Sequence, residues 1–142
     1  LAHASDALIE DVLARTDAPV VVSHTGVRGT CDSPRNLSDP HLRLIAEQGG
    51  VIGVGIWERA VCGDTPAATA RAMRHVADRV GVEHVALGSD FDGTVSVPVD
   101  ATGLPHLTEA LLNEGFSPQE VKQIMGDNVV RLLRQTLPSP AR

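Results

Sequence analysis

Aromatic side chains are nearly absent from this sequence: two phenylalanines, one tryptophan and no tyrosine, 2% of 142 residues. Lysine occurs once, at Lys122. So few flat side chains leave no stacking platform for bases, and a formal charge of -6 leaves no basic footprint for phosphates. Nucleic acid is therefore excluded as an expected partner. No apolar run approaches the roughly 20 residues of a membrane-spanning helix. No GxGxxG opens a helix, so a dinucleotide-binding reading has no support. The two cysteines lack the CxxC spacing of a zinc site. An initiating methionine is also missing; LAHAS reads as the end of an element, and upstream sequence is expected. The absence of a leader then says little about destination, and a cytoplasmic location is carried forward as the expectation.

What is present is a core-sized apolar fraction, 42% of residues, in an alternating pattern. APVVVS (Ala18 to Ser23), VIGVGI (Val51 to Ile56) and HVALGSD (His84 to Asp90) are short and β-branched, as in parallel strands buried on both faces. Between them Ile9, Val12 and Leu13, then Leu42, Ile45 and Ala46, then Met73, Val76, Ala77 and Val80 carry the i, i+3, i+4 spacing of helices laid on a sheet. Asp39 with Pro40, Thr65 with Pro66 and Ser117 with Pro118 pair a capping side chain with a first-turn proline. Gly49 and Gly81 close two helices. Three short helices follow the last strand, giving a domain over 1–136 and a frayed tail over 137–142, LPSPAR.

Strict βα alternation requires a parallel sheet, doubly wound or closed as a barrel. In a barrel the chemistry sits at the C-terminal strand ends, and these are His3, His24, the loop after Ile56, and Asp90. Neighbouring parallel strands lie about 4.8 Å apart, so imidazoles at two such ends can share one metal ion, for which zinc is the usual choice. Asp90, in GSDFDG, sets a carboxylate across the same mouth, where it can take a proton from a metal-activated water. Asp92 reads as a turn cap. His41, His75, His84 and His106 read as packing or surface residues. A rival reading exists for DFDGT, which resembles the loop of haloacid dehalogenase-type phosphatases, but no acidic pair or motif lysine follows at the expected place. Cys31 and Cys62 fall on neighbouring loops of the mouth. A disulfide and a pair of thiols in a reducing cytosol both suit that placement.

LAHAS, PVVVSHTGVRGTCDSPRNLSD, GGVIGVG, HVALGSDFDG and MGDNVVRLL together resemble the C-terminal half of the membrane dipeptidase family, the zinc dipeptidases of peptidase family M19. The resemblance runs from Leu1 to about Leu133. It implies an α/β fold that is the C-terminal half of an amidohydrolase-type (β/α)8 TIM barrel, with two zinc ions in the intact enzyme and dipeptide substrates, D-residues tolerated at the C-terminal position. Residue by residue it implies that His3 and His24 bind one zinc, that Asp90 handles the proton of the attacking water, and that Arg35, in SPRNL, pairs with the substrate carboxylate. Without it Arg35 would read as a surface residue. The family's first-strand HxD pair and its bridging glutamate find no counterpart here, so the chain alone is expected to hold at most one partial zinc site. A catalytically silent barrel fragment, or partner half, is the alternative. By itself the chain is expected to form a homo-oligomer or to be partly unfolded, without activity.

Overall fold

The computed structural model describes residues 1–138, and most of the expected tail lies outside the described residues. Three parallel strands, β1 (Val21–Thr25), β2 (Val51–Val54) and β3 (Val85–Leu87), form one sheet in the order β1-β2-β3. Helices α1 (Asp6–Leu13), α2 (Asp39–Glu47), α3 (Glu58–Val61) and α4 (Pro66–Val80) precede and separate the strands, and α5 (Leu104–Asn113), α6 (Pro118–Lys122) and α7 (Asn128–Thr136) follow them. A π-helical turn, Gln123–Asp127, joins α6 to α7. None of the described helices is long and apolar enough to cross a membrane.

Side chains alternate across a strand, and both faces of this sheet are claimed. Val22, Ile52, Val54 and Val85 pack with Leu42, Ile45, Met73 and Val76 in the main core. Val51 and Ala86, which alternate with them, form a second cluster with Leu132 of α7. Val21, paired with Val51 in the register, remains 42% exposed at the free edge of β1.

The strands are shorter than the apolar runs suggest, and shifted. β1 starts at Val21 and runs to Thr25, so His24 lies inside the strand and not after it. β2 stops at Val54 and β3 at Leu87, which leaves Asp90 in the following loop. Hydrogen bonding marks the ends: the last ladder bonds are those of Gly55 N to Thr25 O and Gly88 N to Val54 O, and beyond Gly88 the chain turns polar, with Asp90 left-handed. Thr65 and Ser117 cap α4 and α6 as expected, the latter in a reciprocal capping box with Glu120. The cap of α2 is Ser38, whose side chain accepts from His41 N, while Asp39 occupies the first turn. Freed from capping, Asp39 binds α4, with His75 Nε2 at 2.7 Å and Arg79 Nε at 2.8 Å.

The His75 hydrogen bond, chiefly, holds the Asp39 carboxyl below its ordinary pKa; partial burial opposes it and the charges of His75, Arg79 and Arg43 assist. A depressed carboxyl stabilises the fold above its unfolded pKa, and the contribution disappears as pH falls through the folded value. Wild type and Asp39→Asn should therefore differ in denaturant midpoint near neutrality and converge well below pH of about 4. A second expectation concerns the sheet edges, where unpaired strand groups invite pairing. The 142-residue chain purified alone should self-associate or be partly unfolded; a monodisperse monomer in light scattering would contradict this.

Candidate metal and substrate site

Four side chains that the sequence singled out converge at the C-terminal ends of the strands. His24 comes from β1. Its Nδ1 lies 3.0 Å from Ser23 Oγ, which orients the ring and turns Nε2 the other way. His3 precedes α1, whose cap is the Ser5 side chain. The Leu1 nitrogen donates to Val21 O at 2.7 Å, which sets this segment alongside β1. As a result His3 Nε2 stands 3.0 Å from His24 Nε2, with the rings near edge-to-face. Among the described residues no strand ends at His3, which lies in a turn with φ 63°.

Asp90 Oδ2 is 3.8 Å from His24 Nε2, beyond bonding range but close enough to act on it electrostatically. Arg35 donates from Nη2 toward His3 Nε2 at 3.4 Å. Asp90 has φ 53°, and Asp92 and Thr94 in the same loop are also left-handed. Side-chain-bearing residues rarely adopt that conformation, at a cost of about 1–3 kcal/mol each. Two of the four converging residues, His3 and Asp90, thus sit on strained backbone.

Burial is the main influence that lowers the His24 pKa; Asp90 pulls it upward, while Arg35 and His3 push it down. Burial likewise lowers that of Arg35, against the attraction of Asp90. The neutral imidazole favoured at His24 is the form that binds metal. Two nitrogens on one tetrahedral zinc, at Zn–N of about 2.0–2.1 Å, stand about 3.3 Å apart, and the observed 3.0 Å between the two Nε2 atoms is close to that. The pair therefore fits two ligand positions of a zinc ion. Further donors do not join them: among the described residues no three His, Cys, Asp or Glu side chains group as a metal site.

Beside Arg35 opens a cavity of about 490 Å³ lined by Trp57, Glu58, Arg59, Thr94 and Ser96 as well as Arg35 itself. The loop after β2 thus contributes to the mouth as its position promised, but through residues the sequence did not single out. Trp57 precedes α3, a four-residue helix too short to leave a periodic signal. Its one available signal was rarity, as the sole tryptophan. Nearby, Cys31 and Cys62 are joined in a disulfide, Cα–Cα 5.2 Å, one of the two states their placement allowed.

The remaining histidines serve the scaffold. His41 is buried between Ser38 Oγ and Glu10, His75 binds Asp39, and His84 bonds Gly50 O through Nδ1 at 2.8 Å. His106 is exposed on α5.

Known proteins share the fold of this chain. Among solved structures, a metallo peptidase described as dipeptidase AC superposes with a TM-score of 0.88 at 30% identity, covering 96% of this chain and 43% of that one. A metallo peptidase from Rhodobacter sphaeroides, liganded with a phosphinate mimic of the dipeptide L-Ala-D-Ala, gives 0.87 at 31% identity, covering 96% and 42%. Dipeptidase verJ of Clonostachys rogersoniana is 36% identical over 138 residues, 94% of this chain and 36% of its own length. Dipeptidase 3 of Rattus norvegicus is 31% identical over 142 residues, 95% and 29% respectively. The chain therefore spans about a third of the curated relatives it matches, and its parallel sheet is part of a (β/α)8 barrel. These matches overturn the phosphatase alternative for DFDGT, which lies after the third strand of this sheet rather than after a first one. The family model described as membrane dipeptidase (peptidase family M19) matches residues 1–139, and the chain belongs to that family.

Proposed function

We propose that the full-length protein carrying this chain is a zinc-dependent dipeptidase, to which this chain contributes two zinc ligands, a proton-transferring carboxylate and a carboxylate-binding arginine. The observation that carries the reading is the convergence of His3 and His24 through Nε2 atoms 3.0 Å apart, with Asp90 and Arg35 on either side. Zinc, when bound, supplies Lewis acidity for amide hydrolysis. Nδ1–H of His24 donates to Ser23 Oγ in this state, which holds the lone pair of Nε2 toward the mouth. Asp90 accepts the proton that water releases as it attacks the carbonyl, and returns it to the leaving amine. Arg35 meets the C-terminal carboxylate of the substrate with its planar fork, a geometry lysine cannot reproduce.

The substrate class follows the Rhodobacter relative, whose ligand mimics a dipeptide ending in a D-residue. The cavity of about 490 Å³ opens beside Arg35, where the substrate's carboxylate end would lie. The second reading, a barrel part without activity of its own, draws on the missing third metal donor among the described residues. Both readings agree that the remaining ligands come from elsewhere. As to location, a disulfide persists in oxidising compartments and is reduced in a cytosol. The cytoplasmic expectation accordingly requires Cys31 and Cys62 as thiols in the cell.

In the full-length protein, His24→Ala should lower bound zinc by elemental analysis and abolish dipeptide hydrolysis, with the circular dichroism spectrum retained. Unchanged zinc would end the ligand assignment. Arg35→Ala should weaken free dipeptides by about 1.5–3 kcal/mol, the worth of a charge-assisted hydrogen bond, and leave C-terminally amidated ones nearly unaffected. Equal losses on both substrates would make the arginine structural.

A further inference from the structure

Trp57 takes no part in the metal or proton chemistry above, yet it touches both sides of the site. The Arg35 guanidinium carbon lies 5.4 Å from the centre of its ring, and the His24 ring 5.9 Å away at a 60° tilt. The indole is 6% exposed. Gly55 lies directly beneath it, where a Cβ would come within 2.1 Å of Cζ3, so this placement of the ring requires glycine at position 55.

Arg35 has few other restraints. It enters none of the ion pairs among the described residues, and its hydrogen bond to His3 is long. Stacking on an aromatic face fixes the plane of a guanidinium without consuming its N–H donors. A salt bridge would fix it too, but would occupy the fork. We propose that Trp57 is a positioning residue for Arg35: its indole holds the guanidinium so that the free edge of the fork faces the substrate carboxylate. This rests on the reading of Arg35 as the carboxylate-binding residue.

A role exercised through Arg35 has a distinctive signature in the full-length enzyme. Trp57→Met fills much of the space without a π face and should raise KM for free dipeptides about fivefold to tenfold, from the usual strength of such a contact. kcat should change by less than about twofold, because the contact serves substrate and transition state alike. Amidated dipeptides should be unaffected. Trp57→Phe should restore most of the affinity. Because the effect passes through the arginine, adding Trp57→Met to Arg35→Ala should cost nothing further. Gly55→Ala, which displaces the indole while keeping tryptophan at position 57, should reproduce the KM effect and serves if Trp57→Met fails to fold.

The outcomes separate cleanly. Additive losses, or equal losses on free and amidated substrates from Trp57→Met, while Arg35→Ala still discriminates between them, would overturn the positioning role and leave the carboxylate reading intact. If Arg35→Ala itself does not discriminate, the carboxylate reading fails and the proposal with it.

Discussion

Two hydrogen bonds from one buried amide, Asn36 Nδ2 to the carbonyls of Cys31 at 2.8 Å and Ala60 at 2.9 Å, tie the loop that carries Arg35 to the segment that carries Trp57. Cys31 and Ala60 are both buried, and an unmet buried polar group costs about 1–3 kcal/mol. The Cys31–Cys62 disulfide crosses the same gap. Gly26 lets the backbones meet there, since a Cβ at that position would lie 1.9 Å from Ala60 O. Behind this seam the loop folds on itself, with Arg28 N donating to Leu37 O and Leu37 N to Gly26 O. The seam anchors the backbone next to Asn36, where Arg35 sits, and leaves the arginine's side chain to be oriented by its own contacts.

The strand cores and two of the three expected caps were legible because each depends on local chemistry: β-branched runs, or a hydroxyl followed by proline. Ser38 was hidden behind Asp39, since both residues can cap and only the geometry of the turn decides between them. Strand ends were misplaced by up to three residues, at Ala18 and Asp90: the apolar run begins before the first strand residue, Val21, and the polar Ser89 and Asp90 lie past the last ladder bond, at Gly88. His24 and Asp90 still reach the mouth, since the register of the sheet brings it to both. Their left-handed neighbours were not read in advance: aspartate tolerates positive φ, so Asp92 carried a weak signal, whereas the β-branched Thr94 carried none. The contact between Trp57 and Arg35 joins two loops through space, so no spacing in the sequence can record it.

Strain and desolvation coincide at the mouth. His3 and Asp90 carry unfavourable backbone, and His24 and Arg35 carry unfavourable burial. The compensation comes from the scaffold below, where His41, His75 and His84 each find a partner and the main core excludes water. The loop side thus carries groups poised for a ligand, above a base in which His41, His75 and His84 are partnered.

Asn128, at the start of α7, donates to the carbonyls of Val82 and Val85, 46 and 43 residues earlier, while Leu132 lies against Val51 and Ala86. Part of the second face of the sheet, around Val51 and Ala86, is therefore covered by α7, while Val21 on the same face stays exposed. During synthesis the strands emerge from the ribosome well before α7 does, and at about 5–20 residues per second they wait several seconds with that face uncovered. This interval is when the nascent sheet is open to chaperones, and to pairing with the wrong strand.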